Sequence, residues 1–309
     1  MKARLISDLH LESNKFYYEW MGEDVLFLLG DIDNSPNHIN FLMTIPQHVK
    51  IIMIAGNHCF YHSDFDEVHK TLKSFEEFLP NYTYLNNESI DIGDISIFGG
   101  TMWTDFELYG HNDKPYVIQD ATRGIADFKC ITRNGRLWKV DDAIEQYNLF
   151  NREFDYWVKN SEGKTRVCLS HFLPSIKCVD KKFDGSSLNA YFASNQENRI
   201  NLVDFYFNGH THASYDFMFN DTRVVCNPYG YGKENSANFK NDLIIEIEQM
   251  YKTYEEWEEI GCFVKLGQSS YLKNIDGIPV FYINQVQQSI RHHGGFAVQL
   301  DAEYINPND

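Results

Sequence analysis

Asp8-Leu9-His10 places a carboxylate and an imidazole two residues apart, so in extended geometry both project to one side and can grip a single cation. Gly30-Asp31 comes next. Its glycine permits an unusual backbone path, and a carboxylate with two oxygens can bridge two metals, which makes Asp31 the expected bridging ligand. Gly56-Asn57-His58 adds an amide oxygen for a metal and, beside it, an imidazole able to donate a proton. His171 and Gly209-His210-Thr211-His212 contribute further imidazoles, the last two again at two-residue spacing. This inventory satisfies two metal centres. Asp, Asn and His without Cys suit manganese, iron or zinc rather than a thiolate site, with manganese favoured.

Such ligands meet only if the chain brings their carriers together. Each follows a short apolar run of the kind that forms a strand buried on both faces: Ala3 to Ser7, Val25 to Leu29, Val49 to Ala55, Arg166 to Ser170 and Phe205 to Asn208. Singly, D-x-H, G-D and G-N-H occur often by chance, and a lone histidine is ordinarily structural. In order, each at the end of a separate run, they point to strand ends converging on one site, where open α/β sheets carry their ligands.

Between the runs, apolar residues at helical spacing predict helices over Ser63 to Phe78, capped through Ser63 and Asp66, and over Asp141 to Lys159, capped by Asp141. Ser89 to Ile92 with Ile95 to Phe98, and Phe217 to Phe219 with Arg223 to Cys226, read as hairpins. Thr104 to Trp138 is irregular and is expected to border a site without an assigned role. The alternation makes the chain α/β. A boundary is placed near Glu248, giving a main domain over 1–248 and a small α+β appendage over 249–309. The appendage is predicted to hold a helix at Tyr251 to Ile260 and strands at Cys262 to Leu266, Ile278 to Ile283 and Phe296 to Leu300.

Composition narrows the partners. A formal charge of −17, from 44 acidic and 27 basic residues, opposes broad attraction to nucleic acid or anionic membranes. The six cysteines are scattered with no C-x-x-C pair, which excludes a disulfide framework and a zinc knuckle and leads to an expected reduced, cytoplasmic setting. No apolar run approaches the ~20 residues of a membrane span.

Through Asp8-x-His10, Gly30-Asp31, Gly56-Asn57-His58, His171 and Gly209-His210-Thr211-His212, the sequence resembles the calcineurin-like metallophosphoesterases over about Met1 to Ile247. Thr101 to Phe106 and Asn227 to Tyr231 echo the pattern of compact microbial members. The resemblance implies a four-layer α/β/β/α sandwich. It also implies Asp8, His10, Asp31 and His212 at one metal, with Asp31, Asn57, His171 and His210 at the other and His58 unligated. Two positions depart from the pattern of related cyclic-nucleotide enzymes: Cys59 where an acid is often found, and Phe172 where a second histidine is common.

The expected reaction is hydrolysis of a phosphodiester, such as a nucleotide or cyclic nucleotide. Two divalent ions would lower the pKa of a bridging water to give a hydroxide nucleophile, and His58 would protonate the leaving alkoxide. Asp31 and His58 are the catalytic candidates. A phosphomonoesterase, a nuclease, and a non-catalytic metal-binding interaction module remain as alternatives. The expected partner is a small phosphoester, with no membrane. His292-His293 is read as a solvated loop, Trp103 and Tyr109 as packing residues, and Gly99-Gly100 as a bend.

Overall fold

The five ligand-bearing runs form strands, but they are divided between two sheets. The computed structural model describes residues 1–232 and 238–247, with the backbone of three further strands. In chain order the first strands are β1 Lys2–Ile6, β2 Val25–Leu29, β3 Lys50–Ile54, β4 Tyr82–Tyr84, β5 Glu88–Ile92 and β6 Ile95–Gly100. They are followed by β7 Thr132–Arg133, β8 Arg136–Leu137, β9 Thr165–Ser170, β10 Phe205–Asn208, β11 Tyr215–Phe219, β12 Thr222–Cys226 and β13 Ile244–Glu246. One sheet has the order β13-β1-β2-β3-β4 and the other β11-β12-β10-β9-β6-β5. Inner strands are parallel; β13, β11 and β5 are antiparallel additions at the edges. At the β13 edge the Met1 amino group donates to the Ile247 carbonyl at 2.9 Å.

The period of two along each strand explains the layers. Leu5, Phe27, Leu29, Ile54, Leu169 and Phe207 join in one buried cluster drawn from both sheets, and the Phe27 and Phe207 rings lie 5.9 Å apart across it. Their neighbours Ile6, Leu28, Met53, Phe98, Cys168 and Tyr206 point the other way, towards helices. The helices are α1 His38–Leu42, α2 Phe65–Ser74, α3 Lys114–Gly124, α4 Asp127–Cys130 and α5 Val140–Asn160. Phe150, Phe154 and Trp157 of α5 pack on Phe98 of β6 at 5.1, 5.8 and 5.4 Å. Strands buried on both faces and covered by helices make the expected α/β/β/α sandwich.

Some local expectations change. The cap of α2 is Asp64, which accepts the Asp66 N–H at 3.1 Å, one residue beyond the expected Ser63. The helix α5 starts at Val140, and Asp142 rather than Asp141 closes its first turn by accepting the Lys139 N–H at 2.8 Å. Gly99-Gly100 is strand, not bend: a Cβ at Gly99 would meet the Ile54 Cγ2 at 2.8 Å, so the two sheets approach there only because glycine leaves room. The stretch read as irregular holds α3, α4 and the β7-β8 hairpin.

The chain divides into two units, Met1–Glu248 and Gln249–Asp309. Within the second, β14 Phe263–Gly267, β15 Ser270–Ile275 and β16 Ile278–Ile283 form an antiparallel sheet. β15 was not anticipated, while the expected helix at Tyr251 to Ile260, the strand at Phe296 to Leu300 and His292-His293 lie outside the described residues. Among the described residues, no helix is long and apolar enough to cross a membrane.

Candidate metal centre

The parallel strands β1, β2, β3, β9 and β10 deliver their carboxyl ends to one place. Asp8 and His10 follow β1, Asp31 follows β2, Asn57 and His58 open a short 3-10 turn after β3, His171 follows β9, and His210 and His212 follow β10. The backbone there is held in an uncommon form. Asp8, His10, Asp31, His210 and His212 have φ of 55, 46, 52, 74 and 47°, a left-handed region that costs L residues energy and persists where the surroundings enforce it. The motif glycines make room: a Cβ on Gly209 would stand 2.8 Å from the Leu29 oxygen and 2.9 Å from an Asp8 carboxylate oxygen. Gly30, at φ 91°, would place one 2.7 Å from the Gly56 nitrogen.

Ligand atoms gather in three overlapping groups, Asp8 with His10 and His212, His10 with Asp31 and His58, and Asp31 with His171 and His210, each within 4.8 Å. His10 and His212 face each other through their Nε2 atoms at 3.0 Å, and His212 Nε2 is 3.4 Å from Asp8. On the other side His171 Nε2 lies 3.2 Å from both Asp31 Oδ2 and Asn57 Oδ1. Asp31 also reaches the His10 Nε2 at 3.9 Å, so its carboxylate is common to both sides. Every residue expected as a ligand is therefore at this site. His58 is too, with its backbone N–H donating to Asp31 at 2.8 Å.

Partners behind these groups aim them. His171 Nδ1 meets the Leu29 carbonyl at 2.8 Å, and His10 Nδ1 meets Glu12 at 3.1 Å, which leaves each Nε2 facing inward. The His210 ring is stacked between Phe172 and Phe192, at 4.3 and 4.7 Å. Its Nε2 is buried and finds no hydrogen-bond partner among the described residues, an orphan that a cation would satisfy.

Electrostatics agree. Burial would raise Asp8, but the hydrogen bond and charge of His212 override it and hold the carboxyl at about 2. Asp31 is likewise held well below the usual range, burial being outweighed by His171 and His58. Burial would lower His171, yet Asp31 keeps it up at about 9. Burial and then the charge of His171 push His210 far down. Buried carboxylates are here balanced by whatever positive charge lies among them, proton or metal. Neutral imidazole, carboxylate and amide oxygen are the donor set of a borderline or hard divalent ion.

A profile of the calcineurin-like phosphoesterases matches residues 1–214. The chain belongs to that family. It is accordingly a metal-dependent phosphoester hydrolase with a place for metal among its clustered Asp and His side chains. An uncharacterised protein of Acanthamoeba polyphaga mimivirus is 27% identical, over 80% of this chain and 97% of its own length. The phosphopantetheinyl hydrolase of Mycobacterium tuberculosis shares the fold, with a TM-score of 0.62 at 14% identity over 82% of this chain and 98% of that one.

This phosphoesterase also carries site residues that spacing did not reveal. Glu12 continues the alternation Asp8-x-His10-x-Glu12, a signal available in the sequence. Tyr61 stacks on His58 at 4.0 Å, and the Tyr231 hydroxyl sits 3.2 Å from His58 Nδ1. Asp127, wholly buried in α4, accepts from the Asn57 amide at 3.0 Å, from the Tyr61 hydroxyl at 2.7 Å and from Tyr191. Nothing local in the sequence connects Asp127 to Asn57. Trp103 packs on Trp138 at 4.6 Å and is buried, while Tyr109 donates to the Ser186 carbonyl.

Proposed function

We propose that this phosphoesterase hydrolyses a phosphodiester of small size, a nucleotide or cyclic nucleotide being the leading class, with manganese as the favoured metal. The observation that carries the reading is the sharing of Asp31 between two ligand groups with His58 beside it and partly exposed. Asp8, His10, Asp31 and His212 would hold one cation, and Asp31, Asn57, His171 and His210 the other. When bound, such ions acidify water and offset charge on phosphoryl oxygens.

The chain's own residues do the rest. His58 lies at the edge of the ligand groups, its ring 4.7 Å from that of His10 and flanked by Tyr61 and Tyr231, where it can hydrogen-bond a phosphoryl oxygen or pass a proton to the leaving alkoxide. Burial lowers its pKa, with Asp31, Asp127 and Glu12 pulling the other way.

Metal-stripped protein reconstituted with manganese should hydrolyse bis-p-nitrophenyl phosphate faster than p-nitrophenyl phosphate, with Asp31→Ala inactive on both. A preference for the monoester would make it a phosphatase. Salt-sensitive cleavage of oligonucleotides would make it a nuclease. Metal uptake without turnover on a broad phosphoester panel would leave a binding module.

A further inference from the structure

Asn57 is an ambiguous ligand by nature. Its amide has one end that can face a cation and one that cannot, nearly equal in shape. Something must decide which end points inward. In this structure the Asn57 Nδ2 donates to Asp127 Oδ1 at 3.0 Å while its Oδ1 faces His171 Nε2 at 3.2 Å.

Asp127 is fully buried, 70 residues along the chain from Asn57, in the α4 turn. Its other observed partners are the hydroxyls of Tyr61, at 2.7 Å on the same oxygen, and Tyr191 on the second oxygen. All three neighbours donate to it. A carboxylate that only accepts cannot be satisfied by the carbonyl end of Asn57, so turning the amide would set oxygen against oxygen. The Tyr61 ring held by this carboxylate also stacks on His58, so one buried acid braces both members of Asn57-His58.

We propose that Asp127 is a positioning residue for the metal centre: it locks the amide of Asn57 with its oxygen towards His171. The inference rests on Asn57 being a metal ligand. A residue that merely anchors α4 would affect folding but not the preference of Asn57 for metal.

The test uses the full chain and manganese alone, with free Mn²⁺ followed by electron paramagnetic resonance, so no turnover is needed. Asp127→Ala, which leaves the Asn57 amide nitrogen without its acceptor, should weaken one of two bound ions by about 10–100-fold and leave the other within twofold. Asp127→Asn still offers a carbonyl oxygen to the Asn57 and Tyr61 donors and should keep most of the affinity. Unchanged affinities in Asp127→Ala, or a loss in Asp127→Asn as large as in Asp127→Ala, would overturn the proposal. If Asp127→Ala does not fold, Tyr191→Phe removes one brace while keeping Asn57 and Asp127 intact. It should weaken the same ion several-fold, and an unchanged affinity would count against the lock. Asn57→Ala separates the premise from the inference: if it retains both ions at full affinity, the ligand assignment itself fails.

Discussion

The two sides of the metal centre are built differently although they share Asp31. One side, with Asp31, His171 and His210, is buried throughout, backed by the Leu29 carbonyl and closed by the Phe172 and Phe192 rings. The other, with Asp8, His10 and His212, reaches the partly exposed His212 and has Glu12 and Tyr231 behind its imidazoles. The first is a piece of hydrophobic core that contains ligands. The second is a rim that reaches solvent through His212. Affinity and stability are thus expected to be coupled more tightly on the buried side than on the rim.

The change that abolishes the contrast is Asp31→Ala, which should remove both ions and all turnover, measured by metal content after gel filtration and by diester hydrolysis. His58→Ala tests the rim: kcat should fall about 10²- to 10⁴-fold with both ions retained, and metal loss equal to that of Asp31→Ala would contradict its unligated role. On the buried side, Phe172→Ala should destabilise the metal-free protein by about 3–5 kcal/mol in urea unfolding, whereas His212→Ala should weaken one ion and cost less, about 1–3 kcal/mol, through the buried Asp8 carboxylate left without its imidazole.

A pH series sharpens the same comparison. His171 is raised to about 9 from an ordinary value near 6.5, so its contribution is fully present below 6.5 and is lost as pH rises through 9. Metal-free protein should therefore melt several degrees lower at pH 9.5 than at pH 6. Metal must displace that proton, so loading should release protons at pH 7 and tighten as pH rises, seen by calorimetry in buffers of different ionisation enthalpy. An apo melting temperature flat across this range would show that His171 is not held charged. The smallest effect is expected from Glu12→Gln, which keeps a hydrogen bond to His10 but removes the charge, and should weaken one ion by only a few-fold in the manganese titration.

What could be read in advance follows the same division. The ligand-bearing strands were legible because each is a continuous apolar run ended by a polar motif, and parallel strands buried on both faces need such runs. β4 was missed because Tyr82–Tyr84 is too short for a pattern to repeat. Its neighbour relation to β3 is a tertiary fact. The site's inner residues were legible through local spacing, as with His210 and His212. Asp127 was not, because its bond to Asn57 joins distant segments through a helix of four residues. Caps moved by one residue at α2, where Asp64 competed successfully with Ser63 for the same N–H groups.

The pairing of β13 with β1 has a consequence for biosynthesis. β1 is made before every other strand of the first unit, yet one of its two neighbours, Ile244–Glu246, is among the last parts of that unit to be made. At roughly 5–20 residues per second, the β1 edge waits on the order of ten to fifty seconds for its partner. Throughout that interval the strand that leads to Asp8 and His10 offers an open, apolar template to other nascent chains. Termination between residues 212 and 244 would make the exposure permanent, so such truncated products should aggregate even though every expected ligand has already been translated.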